Sequence, residues 1–338
     1  MRNALTSLLS SDPEIKVIGT ARDGVEAIDK VALLKPDVVT MDVEMPRMDG
    51  LEALRVIMDK SPVPVIMVSS LTVEGAQETL VALEHGAVDF IPKNLSDMSI
   101  NIVKIKEILI DKIKQIGKSG KLRKPRRIPR ADQATAAPAV IPARLTGQRK
   151  VGIVAIGTST GGPRAIQDVL PRLPKEFPVP IVIAQHMPAN FTGPFAERLN
   201  QISQIEVREA KEGDTLKAGV ALVAPGGKHM KLARPRGIET VVALVENSDE
   251  FIYRPSVDLL MQSVADFFPG RALGVILTGM GNDGAKGMIA MKKTGCRIFA
   301  QNEDTCVVYG MPRAVVDAGI ADKVLAIEEM AGEIINAV

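Results

Sequence analysis

The sequence predicts an α/β protein of two domains, each built on a mostly parallel sheet flanked by helices. Three observations carry this. At 338 residues the chain exceeds the size at which a single hydrophobic core usually keeps growing. Short Val/Ile-rich runs alternate with amphipathic segments in both halves, the pattern of parallel strands joined by crossover helices. Between the halves, residues 117–149 change character to GKSGKLRKPRRIPRADQATAAPAVIPARLTGQR, rich in Pro, Ala and basic residues.

The first region, residues 1–116, opens with Leu5, Leu8 and Leu9 at helical spacing and with nothing before them to make a strand. The domain is expected to begin inside its first helix. Strand IKVIGTA then precedes helix GVEAIDKVALLK, strand DVVTM, helix DGLEALRVIMDK, strand PVIMVSS, helix VEGAQETLVALEHG, strand DFIPK and helix NIVKIKEILIDKI. The last region, residues 150–338, supplies strands VGIVAI, PIVIAQ, IEVREA, VALVAP, TVVALV, LGVILTG and RIFAQ between helical or Gly/Pro-rich stretches, and no repeat of fixed period relates the two regions.

Composition narrows the function. No apolar run approaches the roughly 18 residues that span a bilayer, and the N-terminal stretch lacks the basic, apolar and cleavage segments of a signal peptide. A cytoplasmic protein without membrane insertion is expected. Cys296 and Cys306 have no metal-ligand spacing and read as small buried hydrophobes. From Gly117 to Lys150 ten Lys or Arg face the single acid Asp132, but no aromatic residue is present to stack on bases. The stretch reads as a solvated linker, with no nucleic-acid partner.

Chemistry concentrates where three strands of the last region end. VGIVAI runs into GTSTGG, PIVIA into QHMP, and GVILT into GMGNDG, so Ser159, His186 and Asp283 each stand at a strand's carboxyl end. In open parallel sheets the crevice lies outside those ends, where residues distant in sequence converge. The residue types are complementary: a hydroxyl is a weak nucleophile, imidazole removes its proton, and a carboxylate fixes the imidazole tautomer. Such chemistry needs no cofactor. Thr160, in the first turn of the following helix, and Met280, in the opposite Gly-flanked loop, are candidate N–H donors to an oxyanion.

Taken singly, each residue has another reading. GTSTGG suits a phosphate cradle as well as a nucleophile, although it matches neither common phosphate-loop spacing. GTSTG also fits the G-x-S-x-G turn of α/β-hydrolases, but there the acid precedes the histidine, and here the order is Ser, His, Asp. Asp283 suits a helix N-cap in NDGAKG. Of the other histidines, His85 belongs to the first region, and His229 in APGGKHM reads as a turn residue with a rim or structural role.

Together, GTSTGG, QHMP, NFTGPFAERLN, APGGKHM, RPSVDLL, GVILTGMGNDGAKGM and QNEDTCVVYGMPR resemble the catalytic domain of the protein-glutamate methylesterases of bacterial chemotaxis. The resemblance implies that Ser159, His186 and Asp283 form a catalytic triad. It implies hydrolysis of glutamate γ-methyl esters on methyl-accepting chemotaxis receptors with release of methanol, and deamidation of receptor glutamines.

In the first region DVVTMDVEMPRMDG, with SSLT and IPKN downstream, resembles the response-regulator receiver, a flavodoxin-like domain joined to this esterase in the same family. The resemblance implies that Asp42 takes phosphate from a chemotaxis sensor histidine kinase, that Ser69 and Lys93 read the product, and that the phosphorylated receiver relieves a block on the esterase. It also implies Mg²⁺, held by Asp42, the backbone of Glu44 and an acidic pair ending a first strand. The chain departs from that pattern: Asn94 stands where proline usually follows the lysine, and Asp12 and Asp23 come too late to replace the acidic pair. The expected fold is therefore an N-terminally incomplete flavodoxin-like receiver followed by a doubly wound, parallel-sheet methylesterase domain. Either Met1 is an internal methionine of a longer product or the receiver is impaired. A DNA-binding regulator is disfavoured because the last region has no helix-turn-helix pattern. A nucleotide- or metabolite-binding domain remains the other alternative.

Overall fold

The computed structural model describes residues 2–93, 102–119, 150–235, 239–246 and 253–338. The linker from residue 120 onward, and Asn94, lie outside these. Two compact units are present, split between Arg127 and Ile128.

The first unit runs α1 (Arg2–Leu9), α2 (Gly24–Leu34), β1 (Val39–Asp42), α3 (Gly50–Lys60), β2 (Val65–Ser69), α4 (Val73–Glu84), β3 (Asp89–Pro92) and α5 (Ile102–Ser119). Its helices start where the sequence offers caps: the side chains of Asp23, Asp49 and Thr72 accept from the N–H groups of Glu26, Glu52 and Gly75. The strands form a parallel sheet in the order β1-β2-β3, and β2, between its two neighbours, is buried along its whole length.

Two expectations are corrected here. IKVIGTA is not a strand. Residues 15–21 and β1 both line a cavity of about 690 Å³, with Leu5, Leu9 and Val31 among its walls, so the segment has no ladder partner. The last helix continues to Ser119, past the boundary expected at residue 116.

The second unit comprises β4 (Ile153–Thr158), α6 (Gly162–Val169), β5 (Ile181–Gln185), α7 (Ala189–Ile202), β6 (Glu206–Glu209), β7 (Val220–Val223), β8 (His229–Ala233), β9 (Val241–Val245), α8 (Val257–Phe267), β10 (Ala272–Ile276), α9 (Ala285–Lys293), β11 (Arg297–Gln301), α10 (Met311–Asp317), β12 (Lys323–Leu325) and α11 (Ile327–Ala337). Seven strands make one parallel sheet in the order β12-β11-β10-β4-β5-β7-β6, and β8 pairs antiparallel with β9. β4, β5, β7 and β10 are buried at every residue, which is why they read as unbroken apolar runs. Strands β8 and β12 were not expected. KHMKLA carries two lysines, and KVL is too short to show a period.

The chain leaves β4 towards β5 and returns to β10 on the other side of β4. Strand order therefore reverses beside β4, and the crevice belongs at the carboxyl ends of β5, β4 and β10. Beneath it, Leu260, Met261 and Val264 of α8 and Met288 and Met291 of α9 are fully buried in the core. Each such side chain contributes about 1.5–3 kcal/mol through burial.

Candidate active site

Three adjacent strands deliver the three residues. Thr158 at the end of β4 stands in register with Gln185 at the end of β5, so Ser159 and His186 follow side by side. Backbone and side chains lock the two ends together: the His186 N–H donates to the Thr158 carbonyl at 3.2 Å, and Gln185 Nε2 donates to the Ser159 carbonyl at 3.0 Å. On the other side the Ser159 N–H donates to the Thr278 carbonyl at 3.1 Å. Thr158 Oγ1 donates to that carbonyl at 2.8 Å, and Thr278 Oγ1 donates to the Thr160 carbonyl at 2.9 Å. The serine turn is thus clamped between its neighbours before any catalytic contact is made.

Behind Ser159 the turn needs Gly161. Its φ of 77° is left-handed, and a Cβ there would come within 2.6 Å of the Val307 side chain. Helix α6 starts at the next residue.

Asp283 is the most heavily engaged of the three. Its Oδ2 lies 2.7 Å from His186 Nε2 and accepts from the Val257 N–H at 2.8 Å; its Oδ1 accepts from the Asp258 N–H at 2.9 Å and from Ser256 Oγ at 3.1 Å. Burial opposes ionisation, but the His186 hydrogen bond and charge, with the backbone donors, outweigh it and hold this carboxyl below its ordinary value. The N-cap reading of Asp283 is therefore half right: Gly284 caps α9, while the Asp283 carboxylate serves the N-terminus of α8.

An ionised Asp283 requires a donor opposite it, so His186 carries its proton on Nε2. Nδ1 is then the basic nitrogen, and it is buried without a hydrogen-bond partner among the described residues. Ser159 is only 8% exposed, and among the described residues nothing in the protein accepts from or donates to its Oγ. Ser159 Oγ and His186 Nδ1 are thus both left uncommitted among the described residues.

Other parts of the site escaped the sequence. His229 is neither a turn nor a rim residue: it opens β8, is 0% exposed, and its Nδ1 accepts from the Ser256 N–H at 3.2 Å. Ser256 caps α8 and reaches Asp283, a role visible in retrospect as a serine directly before the helical run VDLL. Asp258 returns the service by accepting from the N–H groups of Gly284 and Gly287, both at 2.9 Å. Burial pushes the Asp258 carboxyl above its ordinary value, with a further upward push from the charge of Asp283.

The first unit gathers its own expected residues at strand ends. Lys93 follows β3 and places Nζ 2.9 Å from Asp42 Oδ1, while also pairing with Glu44 Oε2. Burial disfavours the Lys93 charge, yet hydrogen bonds to Glu44 and Asp42 hold the ammonium above its ordinary value. Ser69 Oγ donates to the Gly75 carbonyl at 3.0 Å, turned towards α4. Asp12 pairs with Lys114, and Asp23 caps α2 and pairs with Arg47, so neither faces Asp42 as a metal ligand.

A chain carrying such a receiver and, separately, a parallel-sheet domain with a Ser, His and Asp at three neighbouring strand ends has the make-up of a receiver-linked serine hydrolase. The family pattern described as CheB methylesterase matches residues 154–334, and the response regulator receiver domain matches residues 1–103. The chain is 51% identical over 356 residues to a protein-glutamate methylesterase/protein-glutamine glutaminase of Oleidesulfovibrio alaskensis, covering 100% of this chain and 96% of that relative. It is 45% identical over 342 residues to one of Pyrococcus abyssi, covering 100% of this chain and 90% of the relative. The crystal structure of the Thermotoga maritima CheB methylesterase catalytic domain superposes with a TM-score of 0.54 at 40% identity, over 56% of this chain and 100% of that one. The chain belongs to the CheB methylesterase family, the protein-glutamate methylesterases that carry a receiver.

Proposed function

We propose that the chain hydrolyses glutamate γ-methyl esters on methyl-accepting chemotaxis receptors, releasing methanol, and deamidates receptor glutamines, in chemotactic adaptation. The observation that carries this is a His186 whose Nε2 is held by Asp283 while its Nδ1 stays buried without a partner among the described residues, on the strand end beside that of Ser159. Ser159 Oγ attacks the carbonyl carbon as His186 Nδ1 takes its proton. The tetrahedral oxyanion is received by the N–H groups of Thr160 and Met280. Collapse expels the methoxy group of an ester, or the NH₂ of an amide, which takes the proton from His186 and leaves as methanol or ammonia. Water, deprotonated by the same nitrogen, then releases glutamate from the acyl-enzyme. Ser159→Ala in the full chain is expected to abolish methanol release from methylated receptor membranes, and near-wild-type release would sink the assignment.

Regulation enters through Asp42, with a chemotaxis sensor histidine kinase as phosphodonor. Mg²⁺ is the expected cation for that transfer, but the donor set described does not fit it. Among the described residues no group of three or more carboxylate, His or Cys side chains converges, and Lys93 sits between Asp42 and Glu44. Among the described residues no helix is long and apolar enough to cross a membrane.

A further inference from the structure

Among the described residues the imidazole of His186 is held in its own plane by a single hydrogen bond, from Nε2 to Asp283, since Nδ1 has no partner there. One bond along the ring edge leaves the ring free to swing about that axis, and a swing changes the direction in which Nδ1 can accept a proton. What opposes the swing is Tyr253. Its ring stacks on His186 with centroids 4.2 Å apart and planes within 12°.

The segment bearing Tyr253 is itself fastened. The Arg254 carbonyl accepts from the Gly227 N–H at 3.2 Å, and the Ser256 N–H donates to His229 Nδ1 at 3.2 Å. The segment that supplies both partners, Pro225 to His229, lies directly against the loop that follows His186: a Cβ on Gly226 would stand 2.4 Å from the Pro188 carbonyl carbon and 2.5 Å from the Met187 oxygen. APGGKH therefore braces the base's own loop on one side and the tyrosine's segment on the other.

We infer that Tyr253 is a positioning residue for hydrolysis, setting the plane of the His186 imidazole and supporting its charge when it becomes imidazolium. The inference rests on the hydrolase reading above. A cation over the face of an aromatic ring is attracted to it, so the stack strengthens as the proton moves from Ser159 to His186. It acts on the transition state more than on the resting enzyme, which places the effect in kcat.

The test compares full-length wild type with Tyr253→Phe and Tyr253→Leu, measuring kcat and KM for methanol release from methylated receptor membranes and the rate at which a small fluorophosphonate labels Ser159. The reagent makes no receptor contacts, so its rate follows the triad alone. Leu is expected to lower kcat and labelling together by roughly 3- to 30-fold at unchanged KM, and Phe to stay within about twofold of wild type. Tyr253→Gln replaces Leu as the ring-deleting variant if Leu lowers the melting temperature. Labelling of the ring-deleted variant at the wild-type rate, a rise in KM alone, or a Phe variant as slow as Leu would each overturn the inference. A wild-type chain that fluorophosphonate does not label would sink the hydrolase reading itself, an outcome distinct from a labelled wild type with an indifferent Leu variant.

Discussion

His186 meets Asp283 through Nε2, at 2.7 Å, and leaves Nδ1 buried without a hydrogen-bond partner among the described residues. The tautomer is thus set by the carboxylate. Replacing Asp283 by Asn retains an oxygen for the Asp258 N–H and Ser256 Oγ but presents an NH₂ to His186 and to the Val257 N–H, which forces Nε2 to accept and moves the ring proton to Nδ1. The base is then blocked. Asp283→Asn is expected to lower kcat for methanol release by about 10³–10⁴ with little change in KM. A fall of less than about tenfold would show that Nδ1 is not the base.

Asp283 and Asp258 each hold the helix start that the other belongs to. Asp283 accepts from the Asp258 N–H, and Asp258 accepts from Gly284 and Gly287 just beyond Asp283. Asp258→Ala leaves two buried N–H groups without an acceptor and is expected to cost about 2–3 kcal/mol in denaturant unfolding of the catalytic domain. Asp258→Asn keeps an acceptor oxygen and removes a charge that burial already disfavours, so it is expected to cost less than about 1 kcal/mol. Equal losses for the two variants would argue against the capping role.

The parts of this site that were legible in sequence are those that end strands. Ser159, His186 and Asp283 each follow a buried apolar run, and the sheet rule places such residues in one crevice. Illegible were the partners whose role depends on a contact with a distant element. Tyr253 touches His186 from 67 positions away, and His229 opens a strand whose apolar run is broken by Lys231. IKVIGTA failed for a related reason. Its β-branched residues favour an extended chain, but a strand exists only where a neighbour completes the ladder, and residues 15–21 face a cavity instead.

His229 makes the catalytic domain sensitive to mild acid. Burial, and then the positive charge of Arg254, hold its imidazole below the usual value, against the pull of Asp283. Because the folded value lies below the unfolded one of about 6.5, the unfolded state binds the proton first as pH falls, and stability present above about pH 6.5 is lost below it. Protonation also turns Nδ1 into a donor facing the Ser256 N–H. The melting temperature is expected to drop between about pH 7.5 and 5.5, and His229→Asn, which offers an oxygen in place of Nδ1, to drop less. His85 in the receiver, also lowered by burial, contributes equally to both proteins. Parallel melting curves would show that His229 is not the group responsible.

Asp42 is the residue whose activity the structure constrains most directly. One of its oxygens, Oδ1, lies 2.9 Å from Lys93 Nζ and accepts the Glu44 N–H at 3.0 Å. The lysine is also paired with Glu44, whose carboxyl is held below its ordinary value by that hydrogen bond and charge. A phosphoryl group arriving at Asp42 brings charge that Mg²⁺ would normally offset, and magnesium wants near-octahedral oxygens from one or two carboxylates, with water completing the shell. Here Asp42 and Glu44 already share a resident cation in Lys93, and Ser69 Oγ is spent on the Gly75 carbonyl. Labelling of these 338 residues by a small phosphodonor with Mg²⁺ is therefore expected to be weak. Lys93→Ala is expected not to restore it, because removing the lysine supplies no further carboxylate. Stoichiometric, Mg²⁺-dependent labelling that disappears in Asp42→Asn would contradict this account and would mean that Asp42 and Glu44 suffice to hold the cation.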